Sequence, residues 1–159
     1  MKLQFLGATE TVTGSKFYLH NNEHSWLIDC GLYQGLKDLR RRNWRPLPLD
    51  LKDLDAVLLT HAHIDHSGYL PIIVRDGFKG PIIASEPTVD LCKILLPDAG
   101  YIQEEDAKFA AKKGYSKHAN PVPLYTYADA VDSLKSLNPI EDRKWFKLSE
   151  EVRMMLRPA

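Results

Sequence analysis

The sequence predicts an α/β layered fold, and three observations carry that expectation. Short apolar runs of strand length, each closed by turn residues, fill the first part of the chain. Helical patterns alternate with further strand-like runs after that, which is the pattern of layers of helix packed on sheet. At 159 residues, the chain is long enough for one domain with a real core, since a chain of about 150 residues buries roughly 70% of its unfolded surface.

The elements follow in order. Lys2 to Leu6, Lys16 to Leu19 and Ser25 to Ile28 read as strands bounded by Gly7, Gly14 and Asn21-Asn22. Asn21 to His24 reads as the hairpin connection between the second and third. Ala56 to Thr60 (AVLLT) is a continuous apolar run, as expected of a strand buried on both faces. A short helix opens around Ser67 to Pro71 and carries Ile72, Ile73 and Val74. Pro81 to Ala84 is another buried strand. A helix begins at Glu86-Pro87-Thr88, with a kink or break expected at Pro97. A further helix runs from Tyr101 to Lys113 and ends at Gly114, its charges reading as a solvated face. Asn120 to Pro123 is a stiff linker. Thr126 is an N-cap for a helix from Tyr127 to Leu137, ended by Asn138-Pro139. Glu151 to Leu156 is a last strand.

Composition narrows the function classes. The chain is 44% hydrophobic and 26% charged, with a formal net charge of zero. No global basic field advertises a nucleic-acid partner, so any such partner rests on local features. Two cysteines, Cys30 and Cys92, sit in apolar runs and make no disulfide framework, which points to a reduced, cytoplasmic setting. The apolar N-terminus is too short for a signal segment, and no run approaches the ~20 residues of a membrane helix.

The chemistry is concentrated in Thr60-His61-Ala62-His63-Ile64-Asp65-His66-Ser67-Gly68, directly after the buried strand. Four metal-ligand side chains fall within six residues, and imidazole with carboxylate suits zinc (Zn2+). A loop at the end of a strand curls so that alternate side chains converge. His61 and His63 are then placed to hold one ion, and Asp65 and His66 a second. The helix-borne H-E-x-x-H pattern of zincins is absent. Asp29 follows the apolar run Trp26-Leu27-Ile28, where a carboxylate either steadies the metal loop by orienting a ligand histidine or simply belongs to an Asp-Cys-Gly turn. Lys37, Arg40, Arg41, Arg42 and Arg45 surround Trp44, a mixture that suits phosphate contact and base stacking or, more plainly, a solvated face. His20, His24 and His118 have no partner at ligand spacing and read as surface residues.

On the stretch from Thr60 to Gly68 the sequence resembles the metallo-β-lactamase superfamily. More narrowly it resembles the β-CASP RNA-processing nucleases. That closer likeness is carried by Phe5 to Ala8 with Val12 to Ser15, Ile28 to Gly35, His61 to Pro71, Gly77 to Ile82, and Leu124 to Ala130. The resemblance implies an αββα sandwich, of which residues 1–159 form the N-terminal portion. It implies Asp29 as the first family motif and His61, His63, Asp65 and His66 as the second, the ligands, with Asp65 and His66 serving catalysis as well. The implied reaction is hydrolysis of an RNA phosphodiester, with single-stranded RNA as substrate and two zinc ions activating water. The family's third metal motif and its β-CASP domain are not in this sequence. The expectation is therefore an incomplete ligand set, an inactive isolated chain, and an apolar sheet face that seeks a complementing C-terminal part or a second copy. Two other readings stand beside it: a thioester or lactone hydrolase of the same superfamily, and a non-catalytic metal-binding or assembly module.

Overall fold

A computed structural model describes residues 1–113 and 121–158. The expected helix end at Gly114, His118 and Asn120 lie outside the described residues, as does Ala159.

Six strands pair in the order β1-β2-β3-β4-β5-β6. They are β1 (Lys2–Phe5), β2 (Phe17–His20), β3 (Ser25–Ile28), β4 (Ala56–Leu58), β5 (Ile82–Ser85) and β6 (Leu137–Ile140). β1, β2 and β3 run antiparallel, whereas β3 to β6 are parallel. The β2–β3 turn is made by Asn21, whose side-chain oxygen accepts from the backbone N–H of Glu23 at 2.9 Å and of His24 at 2.6 Å. The continuous apolar run after Asp55 behaves as its composition requires: Ala56, Val57, Leu58 and Leu59 are all buried.

Helices cover one face of the sheet. α1 (Lys37–Arg40) and the 3-10 turn Arg41–Trp44 lie at the surface, α2 (Ile64–Ser67) and α3 (Leu70–Arg75) follow β4, and α4 (Glu86–Lys113) and α5 (Tyr127–Ser133) complete the layer. Leu27, Val57, Ile82 and Ala84 of the sheet form one core with Leu70, Ile73, Val89, Cys92, Leu96, Tyr125 and Ala130. On the opposite face Trp26, Ala56, Leu58 and Ile83 pack against Phe146, Leu148, Val152 and Met154, which belong to or flank the short pair β7 (Phe146–Lys147) and β8 (Arg153–Met154). The anticipated bare apolar face is thus covered in its middle. It stays open at the β1 end, where Leu3 is 51% and Phe5 59% exposed.

Several boundaries differ from the sequence reading. α4 does not break at Pro97 but runs as one helix of 28 residues. A proline inside a helix costs about 3 kcal/mol, and here Pro97 belongs to the buried stripe of Val89, Cys92, Leu96 and Gly100 that holds the helix down. A Cβ at Gly100 would stand 2.8 Å from the Thr126 carbonyl oxygen, so α4 and the head of α5 meet backbone to backbone. Thr126 does cap α5: its hydroxyl accepts from the Asp129 N–H at 3.1 Å, and Asp129 returns the contact to the Thr126 N–H at 2.8 Å. That helix stops at Ser133, however, and Leu137–Ile140 forms β6 with Pro139 inside it. Proline is tolerated there because β6 is the edge of the sheet. The last expected strand shrinks to Arg153–Met154, paired with β7, which the sequence did not announce. No helix among the described residues is long and apolar enough to cross a membrane.

Ile73, 1% exposed on α3, fills the space between helix and sheet. Ile73→Ala is expected to lower unfolding free energy by about 2–5 kcal/mol, read as a lower urea midpoint with an unchanged slope.

Candidate metal centre

The motif loop leaves the end of β4, and main-chain bonds pin it to the segment that follows β3 and to the turn before β2. The N–H of Asp29 donates to Leu58 at 3.0 Å, that of Cys30 to His66 at 2.7 Å, that of Leu32 to Ile64 at 3.0 Å, and that of Ser15 to Asp65 at 2.9 Å. Gly31 makes the approach possible. A Cβ on it would fall 1.6 Å from the Asp65 carbonyl oxygen and 2.5 Å from the His66 nitrogen, so only glycine fits.

Asp29 sits at the centre. It is 2% exposed and adopts a left-handed backbone (φ 57°), which aspartate tolerates better than most residues. One carboxylate oxygen accepts from the Thr60 N–H and hydroxyl, both at 2.8 Å. The other meets the His66 Nδ1 at 2.7 Å and the Ser15 hydroxyl at 3.2 Å. A buried carboxylate only accepts, so a proton on His66 belongs on Nδ1, and in the neutral ring Nε2 is the bare nitrogen. The same logic extends one step further. The Thr60 hydroxyl spends its proton on Asp29 and faces His61 Nδ1 at 3.0 Å, so it accepts from that nitrogen and leaves His61 Nε2 bare as well.

The four expected ligands are brought together as two pairs. His61 Nε2 and His63 Nδ1 stand 3.0 Å apart, and His66 Nε2 lies 3.7 Å from an Asp65 carboxylate oxygen. The ring centroids of His61 and His66 lie 4.0 Å apart, which joins the pairs. Among the described residues no group of three or more His, Cys, Asp or Glu side chains is placed to hold one ion. The donor chemistry nevertheless fits zinc. Two ligands of a tetrahedral zinc stand about 3.3 Å apart, and both pairs are near that span. A bare His61 Nε2 facing another ring nitrogen also needs a proton or a cation between them. Burial, then the neighbouring His66 and His63 rings, lowers the His61 pKa below its ordinary value, which keeps the ring neutral and able to ligate near pH 7.

Thr60 and Gly31 were not given roles by the sequence reading. A hydroxyl preceding the first histidine and a glycine after Asp-Cys were the available signals, but neither has meaning until the two segments are known to touch. Cys30 and Cys92 are free and buried, as expected, and burial pushes their thiols up to about 12 and about 11. His20 and His24 take no part in the centre; they stack on Tyr18 and Trp26.

The basic cluster is split. Arg41 pairs with Asp38 at 3.1 Å. Arg40 and the 58%-exposed Trp44 line a groove of about 670 Å³ that reaches Ile64, in the middle of the motif. Arg42 turns away to the Tyr33 ring, 5.6 Å from its centroid.

The chain is similar to known proteins in sequence and in fold. The profile of the Metallo-beta-lactamase superfamily matches residues 12–138. Ribonuclease TTHA0252 of Thermus thermophilus is 36% identical over 148 residues, which is 93% of this chain and 30% of that protein. Transcription termination factor FttA of Methanocaldococcus jannaschii is 31% identical across 100% of this chain and 23% of its own length. An Integrator complex subunit 11 homolog of Dictyostelium discoideum is 30% identical over 96% of this chain and 20% of its own length. The chain therefore spans less than a third of these relatives. Among solved structures, the metallo-beta-lactamase SMB-1 with mercaptoacetic acid superposes with a TM-score of 0.51 at 17% identity, covering 94% of this chain and 47% of that one, which is a likeness of fold.

Asp29→Asn keeps the shape and suits the left-handed backbone but puts an NH2 donor where an acceptor is needed. It is expected to cost about 1–3 kcal/mol. In 15N spectra of the imidazoles, His66 should pass from a single Nδ1–H form to a mixture. An unchanged His66 signal would show that Asp29 does not set its tautomer.

Proposed function

We propose that this chain, which belongs to the metallo-beta-lactamase superfamily, carries the first two metal-binding motifs of a β-CASP-type RNA-processing nuclease, a two-zinc hydrolase of RNA phosphodiester bonds. The observation that supports this most directly is the Asp29 anchor. One carboxylate orients His66 outright and His61 through Thr60, leaving both Nε2 atoms bare beside the partners of a two-ion site. The relatives named as a ribonuclease, a termination factor and an Integrator subunit support RNA as the substrate.

In this reading His61 and His63 hold one zinc ion, and Asp65 and His66 hold the other. When bound, the metals lower the pKa of water and neutralise charge that builds on a phosphorus centre. The chain's own residues supply position. The backbone clamp between residues 29–32 and 64–66 fixes the loop, Asp29 fixes the rings, and His61 stays neutral because burial and its neighbours disfavour the imidazolium. Arg40 with the exposed Trp44 ring offers a phosphate and a stacking contact for single-stranded RNA, in the groove that begins at Ile64. Arg41 pairs with Asp38 and Arg42 rests over the Tyr33 ring, so neither lines that groove. Residues 1–159 form the N-terminal part of the fold domain, and the reduced thiols fit the cytoplasm.

The two-by-two donor arrangement favours one companion reading for these residues on their own. They are a metal-binding scaffold whose hydrolysis awaits further ligands.

Elemental analysis of the purified chain tests the centre. One or two zinc ions per chain are expected, falling to background in a His61→Ala/His63→Ala variant. Zinc content unchanged by those substitutions would sink the assignment. Cleavage of a single-stranded oligoribonucleotide, absent in the 159-residue chain and present once the downstream ligands are supplied, tests the reaction. We propose in addition that the exposed β1 end, with Leu3 and Phe5, is covered by a second copy or a complementing part. Light scattering at micromolar concentration should give a mass above that of one chain, and a clean monomer would argue against it.

A further inference from the structure

A separate hollow of about 370 Å³ lies beneath the turn that carries Arg42. Lys16, Arg42 and Arg45 all line it, together with Tyr33 and Tyr69, and none of its lining residues is acidic. Asp50 and Asp76 line a neighbouring hollow that shares the wall of Leu47 and Tyr69.

Lys16 is the unusual member. It is 2% exposed, yet no carboxylate among the described residues pairs with it. Its ammonium has three protons to donate. One goes to the Gly31 carbonyl, and the group otherwise rests over the Tyr33 and Tyr69 rings, with centroids at 4.9 and 4.8 Å. The two tyrosine hydroxyls point elsewhere: Tyr33 donates to the Leu6 carbonyl at 3.2 Å and Tyr69 to the Arg45 carbonyl at 3.0 Å. The Arg42 guanidinium lies over the same Tyr33 ring. Neither Arg42 nor Arg45 has an acidic partner among the described residues. A lysine is almost never fully buried without a counter-charge. Here two guanidinium groups on an exposed turn add further positive charge instead of relieving it. An anion with several acceptor oxygens would take the unspent donors of all three side chains at once.

We infer that the hollow framed by Lys16, Arg42 and Arg45 binds a phosphate group. The site is distinct from the histidine centre, meets the Arg40–Trp44 groove only at the shared Tyr33, and does not depend on hydrolysis. The phosphate belongs either to free inorganic phosphate or to an RNA backbone, and the same three cations recognise both.

Isothermal titration of inorganic phosphate into the full chain, at fixed ionic strength against chloride, tests the site. Binding is expected in the native sequence and equally in His61→Ala/His63→Ala, which removes any phosphate resting on metal. Arg42→Ala/Arg45→Ala changes only exposed residues and should weaken binding about tenfold or more. Lys16→Met should do the same if it folds. Absence of binding, its loss in the histidine variant, or equal binding in the arginine variant would each overturn the site. A single-stranded oligoribonucleotide that displaces phosphate from the native chain, and binds the arginine variant more weakly, assigns the anion to an RNA backbone. Phosphate binding that RNA does not compete for assigns it to the free ion. Either result leaves the anion site standing.

Discussion

The carboxylate of Asp29 is the contact on which the rest of the centre depends. It is buried, so it must be satisfied, and the four donors that satisfy it come from Ser15, Thr60 and His66. Those donors belong to three separate segments of chain. Meeting one carboxylate ties the start of β2, the end of β4 and the head of α2 into a single corner. The orientations of the His66 and His61 rings, and which of their nitrogens face the metal side, follow from that one group.

The sheet beneath explains why the corner sits where it does. β3 and β4 are parallel neighbours, with Ile28 opposite Leu58. Their C-terminal ends therefore lie side by side, and the residues that follow them, Asp29 and Thr60, come within hydrogen-bond reach. Parallel strands sandwiched between two apolar layers cannot slip by one residue without moving Leu27 and Val57 out of the helix-side core and into the opposite layer. Burial of the strands thus sets the spacing of polar groups at their ends, and the chemistry inherits its precision from packing.

Much of this was legible in the sequence, for physical reasons that differ by residue. The AVLLT run and the four ligand-type residues after it carry strong local signals, so β4 and the motif were readable. Asp29 could be singled out only as a candidate, because an Asp-Cys-Gly turn looks the same with or without a partner 37 residues away. Thr60 and Gly31 act through contacts between segments, which periodicity does not encode. The misread elements share another cause. Pro97 and Pro139 are breakers by local rule, yet a buried stripe in α4 and an edge position in β6 override the rule. The basic turn shows the limit of composition: one cluster of arginines serves an ion pair, a groove and a ring contact on different sides.

The bare backbone of Gly31 has a consequence for change over time. The loop is seated by carbonyls and amides laid across a residue with no side chain, so its path does not rely on the imidazoles of His61 and His63 or on the carboxylate of Asp65. Among the described residues, the polar side-chain contacts of those three are with one another, Thr60 and His66. Donor identity can drift at these positions, trading nitrogen for oxygen and one metal preference for another, while the loop keeps its course. His66 lacks that freedom, because it is also a strut. A lineage built on this corner could explore new chemistries by rewriting three letters, and would be held to its ancestry by the fourth.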